Sequence, residues 1–129
     1  MNEWQLNIEL NDNSIKNIEK YIQKKLPVEL MSFLMEANAS YPKNDRFKVE
    51  SSEYIVNNIL NFNESSEESF YDSFDNLKEN IKDFIPLAKD GFGNYYLIDL
   101  DNLKVYFYNH ENNGIQYLFD FDKFIEALS

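Results

Sequence analysis

The chain has 129 residues, no cysteine, and 23 acidic against 12 basic side chains, for a formal charge of −11. The missing cysteines exclude disulfides, thiolate metal sites and a cysteine nucleophile. So acidic a surface repels phosphate backbones and anionic headgroups, which argues against direct nucleic-acid or membrane binding and points to a basic partner or to solubility alone.

Aromatic residues make up 16 % of the chain, which sets it apart from disordered sequences. The length predicts one domain over residues 1–129, large enough to bury a core without staples. Residues 1–5 lack the basic and apolar stretches of a signal peptide, and no apolar run approaches the ~20 residues that cross a bilayer.

Trp4, Leu6, Ile8 and Leu10 alternate with polar residues and predict a half-buried strand. Ile15, Ile18, Tyr21 and Ile22 recur at helical spacing and predict a first helix through Lys25, after cap candidates at 11–14. Leu26-Pro27 interrupts it, because proline disfavours helical geometry in the residue before it. Pro27 also suits the first turn of a second helix, which carries Leu30, Met31, Phe33, Leu34 and Ala37 and ends near Asn38. Residues 41–45 read as a loop, Phe47 and Val49 as a short strand, and residues 54–62 as a longer return strand. After a polar segment at 63–69, Phe70, Phe74, Leu77 and Ile81 predict a third helix.

Residues 84–100 read as strand, glycine turn, strand. Gly91 and Gly93 are two of only three glycines, so this turn calls for positive φ or close backbone approach. Asp101-Asn102 turns the chain into a strand at 104–109. A loop at 111–114 precedes a strand in which Ile115, Tyr117 and Phe119 alternate, and Asp120 is placed to cap a helix bearing Phe121, Phe124, Ile125 and Leu128. Antiparallel strands with segregated helices predict an α+β domain, an antiparallel meander sheet with about four helices packed around it.

Motifs for catalysis, metals or cofactors are missing. His110 is the only histidine and has no second one to share a zinc ion. Asp99-Leu100-Asp101-Asn102 lacks the glycine and glutamate of a calcium loop, so it reads as a turn. Asp99 and Asp101 can share a strand face, but nothing sets a second carboxylate pair across a cleft from them. Gly91-Phe92-Gly93 is too short to cradle a phosphate and has no P-loop lysine. The acids Glu64, Glu67, Glu68, Asp72, Asp75 and Glu79 run through the loop and the third helix, either as a solvated face or as a docking surface for a basic protein. Tyr71, Tyr95, Tyr96, Tyr106, Tyr108 and Tyr117 add contact area; alternation lets about half of them face the core and leaves an exposed aromatic patch amid acids. The candidate partner contacts are Glu64, Glu67, Glu68, Asp72 and Asp75, with Asp99, Asp101 and Glu111 as a second patch.

One ordered series of patterns spans the chain from Ile15 onward. Ile15-x-x-Ile18-Glu19-x-x-Ile22 leads to Leu26-Pro27-x-x-Leu30-x-x-Phe33-Leu34 and Ala37-Asn38. Ile85-Pro86-Leu87-Ala88 follows with Asp90-Gly91 and Gly93-Asn94, then Val105-Tyr106-Phe107 with His110-Glu111, and finally Phe121-x-x-Phe124-Ile125-x-x-Leu128. In this the chain resembles the SUKH superfamily of Smi1/Knr4-like proteins. It departs from the family where Ala39 and Ser40 stand after the second helix's asparagine, a place often held by glycine, and where Phe92 sits in the glycine turn. The resemblance implies a non-enzymatic, cytoplasmic immunity protein without a cofactor. Such a protein binds and neutralises a cognate bacterial toxin, often a nuclease. A regulatory scaffold with several protein partners, as in fungal members, is the alternative it implies.

Overall fold

The computed structural model describes residues 4–11, 13–63, 69–81 and 83–129. Strand β1 (Trp4–Gln5) is far shorter than the alternation predicts. It pairs with β2 (Tyr41–Pro42), and Leu6 then turns left-handed at φ 58°, leaving Leu6 and Ile8 exposed. Backbone bonding explains the difference. Ile8 N–H donates to the Asn38 carbonyl at 2.9 Å, and the Asn38 amide donates back to the Ile8 carbonyl at 2.9 Å. An asparagine, not a neighbouring strand, takes up this segment.

Helix α1 (Ser14–Ile22) buries Ile18 and stops where Gln23 turns left-handed at φ 59°. The Glu19 carboxylate accepts from Leu26 N–H at 2.8 Å and fastens the Leu26-Pro27 junction. Helix α2 (Val28–Ala37) begins one residue beyond Pro27, which is extended (φ −62°, ψ 149°) as its N-cap. Its buried face is Leu30, Phe33, Leu34 and Ala37. Ala39 just beyond it is left-handed at φ 59°, the conformation glycine adopts most easily.

Strands β3 (Arg46–Val49) and β4 (Ser52–Ile55) form an antiparallel hairpin. The long return strand expected at 54–62 is divided between two sheets: Val56 N–H donates to the Asp45 carbonyl, whereas Asn57 N–H donates to that of Lys89. Strand β5 (Asn58–Ile59) therefore belongs to the main sheet, with β6 (Phe84–Lys89), β7 (Tyr95–Asp99), β8 (Lys104–Asn109) and β9 (Gly114–Asp120). Its order is β5-β6-β7-β8-β9, every neighbour antiparallel, which is the predicted meander.

Helix α3 (Phe70–Leu77) is capped by Ser69, whose Oγ accepts from Asp72 N–H at 3.2 Å; Ile81 continues its apolar pattern beyond the helix and is buried. Helix α4 (Phe121–Leu128) closes the fold. Asp120 stands at its N-cap but makes no capping bond, its carboxylate accepting from Tyr117 O–H at 3.3 Å instead. The β9 face also differs from expectation. Val105 pairs Phe119 while Tyr106 pairs Tyr117, so Leu118 is an extra residue. This bulge turns Leu118 inward and leaves Ile115 and Tyr117 exposed.

The main core lies on one face of the sheet, where Phe47 gathers Tyr54, Tyr96, Phe119 and Phe124 with ring centroids between 5.1 and 6.4 Å. Alternation puts Leu97 and Tyr108 on the other face, in a smaller cluster with Leu77 and Ile81. Asparagines tie the irregular N-terminal segment to this core. The Asn38 oxygen accepts from Phe62 N–H at 2.7 Å and its amide donates to Asn61 at 3.1 Å. The Asn63 oxygen accepts from Asn11 N–H at 2.9 Å and from Ser14 O–H at 2.5 Å, while its amide donates to the Glu9 carbonyl at 3.0 Å.

Candidate partner-binding surface

The glycine hairpin between β6 and β7 has its polar groups committed to its own turn. Asp90 is buried, and one carboxylate oxygen accepts from Phe92 N–H at 2.7 Å and Asn94 N–H at 3.1 Å, while the other accepts from the Asn94 amide at 2.8 Å. Gly91 and Gly93 take φ 88° and 95°. A Cβ on Gly93 would stand 3.0 Å from the His110 ring, so the lone histidine lies over the turn. Among the described residues, no group of three histidine, cysteine, aspartate or glutamate side chains is arranged to hold a metal ion. Nor is any described helix long and apolar enough to cross a membrane.

Several predicted contact acids meet at one pole. Asp75 on α3 accepts from Tyr21 O–H at 2.5 Å and lies 3.7 Å from Lys78. The Asp75 hydrogen bond raises the Tyr21 phenol above its ordinary range, with burial adding to the effect. Asp101 lies 2.8 Å from Lys24, just past α1. That bond raises the Lys24 ammonium, and the charges of Asp99 and Asp83 push the same way. Asp99 in turn accepts from Asp101 N–H at 2.8 Å, an Asx turn. Asp72 is exposed in the first turn of α3. The end of α1 thus joins α3 to the β7–β8 turn, and Asp75, Asp99 and Asp101 come together around Tyr21 and Lys24.

Glu111 does not join them. It sits in the turn beyond β8, where its N–H donates to Asn109. The six residues of β8 separate it from Asp101 by roughly 20 Å, so the expected second patch is two places. Glu64, Glu67 and Glu68 lie outside the described residues.

Spacing also carried a signal that the acid count hid. Lys16, Lys20 and Lys24 recur every four residues and, with Lys25, Glu19 and Gln23, line an open cleft of about 570 Å³. Lys20, in the last turn of α1, complements the helix dipole, and the lysines together set a basic strip beside the acidic pole.

The tyrosines divide as alternation requires. Tyr96 is fully buried and donates to the Ile55 carbonyl at 2.6 Å, and Tyr108 is buried and donates to Asn113 at 2.5 Å. Burial, then the Asp90 charge, strongly raises the Tyr96 phenol. Phe84, Tyr106 and Tyr117 form a row on the face that Tyr108 shares, opposite Tyr96, with centroid spacings of 4.7 and 5.5 Å and Lys104 5.5 Å from the Tyr117 ring. Only its Tyr117 end is exposed. Together the surfaces offer acids for cations and an aromatic edge for packing.

A family model described as SMI1-KNR4 cell-wall (SUKH_6) matches residues 12–125, from the start of α1 into α4. No curated protein matches the chain.

Proposed function

The chain belongs to the SMI1-KNR4 family of the SUKH superfamily, and from that premise we propose that it is a cytoplasmic immunity protein. Acting as one unit over residues 1–129, it binds a cognate bacterial toxin, a basic nuclease domain, and neutralises it without chemistry of its own. The observation that carries this reading is the charge of −11 together with the pole of exposed Asp72, Asp75 and Asp101 and half-buried Asp99. A nuclease must attract phosphates, so its substrate-binding surface is cationic and complements such a pole. Complementary charge steers encounter to the order of 10⁸ M⁻¹s⁻¹ or more at low salt. An interface of roughly 1,600 Å² is enough for tight inhibition, and nuclease–immunity pairs reach the order of 10⁻¹⁵ M. Glu64, Glu67, Glu68 and Glu111 complete the proposed contact set.

Co-expression with the toxin encoded beside it tests the reading. Cells survive and a one-to-one complex persists in gel filtration if it holds; death of the cells without a complex overturns it for that pair. The lysine strip of α1 favours a second reading, a regulatory scaffold, because it offers a surface of opposite sign to another partner. A pull-down that returns several partners and no basic nuclease supports the scaffold instead.

A further inference from the structure

The two edges of the main sheet are finished differently. At one, β5 has two residues, and its Ile59 N–H already donates to the Ser40 carbonyl at 2.9 Å. At the other, β9 has seven residues and pairs only with β8, and Gly114, Ile115, Gln116 and Tyr117 are exposed. An antiparallel edge strand turns part of its N–H and C=O groups away from its neighbour. Among the described residues, no strand meets those of β9. Natural edges are usually blunted by charge, lysine or proline. Residues 114–119 contain none of these, in a chain with 23 acids and 12 bases.

We propose that β9 pairs antiparallel with β9 of a second copy, about a two-fold axis at Gln116, so that two sheets become one. In this register Ile115 lies opposite Tyr117 of the second copy, and the pair occurs twice. Both side chains are on one face, before the Leu118 bulge, and are 37 % and 44 % exposed, so pairing covers the apolar surface that β9 leaves open. Asp120 falls opposite Asn112, and no acid meets an acid. On the other face an open cleft of about 390 Å³ holds Asn109, Asn112 and Gln116 beside Tyr54 and Phe107, a neutral rim suited to amide contacts across the axis.

Self-complementarity and neutrality select a second copy over a charged partner. A basic protein gains little from an uncharged strand, whereas two copies of a chain at −11 associate best where neither presents charge. The paired stretch is short and buries less than the ~1,200 Å² of a standard interface, so the dimer is weak and reversible. Salt strengthens it by screening the repulsion between the copies. Salt weakens steered binding to a basic partner, so the two associations are distinguishable.

Sedimentation of the full chain over a concentration series tests the proposal, at ionic strengths of about 0.01 M and 0.1 M, where the Debye length falls from roughly 30 to 10 Å. The expected result is a dimer fraction that grows with protein and several-fold with salt. Gln116→Lys and Gln116→Glu each place like charges across the axis and abolish the dimer, while an equimolar mixture of the two restores a heterodimer. Gln116 is exposed, so the melting temperatures of both variants stay near that of the parent. A monomer under all conditions overturns the proposal. So does a dimer that either variant leaves intact, or a mixture that fails to restore it.

Discussion

Asn38, Asn61 and Asn63, and Asp72, Asp75 and Asp101, are all polar, but they are held in opposite ways. Asn38 is 1 % exposed and uses its oxygen and amide on Phe62, Ile8 and Asn61. The side chain of Asp101 is 75 % exposed and that of Asp75 45 %, each beside a single lysine. In a low-dielectric interior an unmet amide is costly, so the buried amides determine the path of the chain around them. Exposed ion pairs are worth about 0–1 kcal/mol, so the acids contribute little to the fold. An excess of acids with so small a structural role is available to a partner.

The largest expected effect breaks the amide side of this comparison. Asn38→Ala leaves the Phe62 N–H and the Ile8 carbonyl without their partner and is expected to destabilise the fold by about 3 kcal/mol, at ~1–3 kcal/mol for each orphaned buried group. The urea midpoint reads it. A loss below about 1 kcal/mol would mean that water replaces the amide and that the region is not knit as described.

Tyr96 extends the buried side to pH. Its O–H reaches the Ile55 carbonyl, and burial raises the phenol far above the value of 10.0 that it has when unfolded. The raised value stabilises the fold fully below pH 10, and this contribution declines as pH rises through the folded-state value, because the unfolded phenol ionises first. Tyr96→Phe is expected to cost about 1 kcal/mol at neutral pH through the orphaned carbonyl. It also flattens the loss of stability above pH 10. Parallel pH profiles for the two proteins would show that another tyrosine carries that slope.

The contrast also explains what could be read from the sequence. The 84–100 hairpin, β8 and α4 were legible because alternation, glycine and helical spacing act locally. The strand expected at residues 4–10 was misread because its backbone bonds go to Asn38, main chain and side chain, and to the Asn63 amide, which no periodicity reveals. The β9 face was misassigned because one extra residue, Leu118, flips the alternation. Among the acids, grouping was not legible. Asp75 and Asp101 meet through Tyr21 on α1 and Lys24 just past it, whereas Glu111 is held apart by the length of β8. Buried asparagines and scattered surface ones look alike in composition.

A smaller effect has the opposite sign. Ala39 holds φ 59° beside the asparagine network, where its Cβ is strained. Ala39→Gly is expected to stabilise the protein by about 0.5–1 kcal/mol, since relief of left-handed strain exceeds the added entropy of the unfolded chain. A lower melting temperature would show that the network holds this turn without strain.

The smallest effect on stability tests the acidic side. Asp75→Lys and Asp101→Lys remove exposed carboxylates, and each is expected to change unfolding free energy by no more than about 0.5 kcal/mol. Their effect belongs in association with the proposed toxin. Reversal at a true contact slows the on-rate and flattens its dependence on salt, while the off-rate changes less. Glu126→Lys, on α4 and outside the proposed contact set, is the internal control because it makes the same change in net charge at an exposed carboxylate. If all three variants slow association equally, overall charge steers the encounter. If only the reversals around Tyr21 and Lys24 do so, the pole is the contact, and binding and folding rest on different polar side chains.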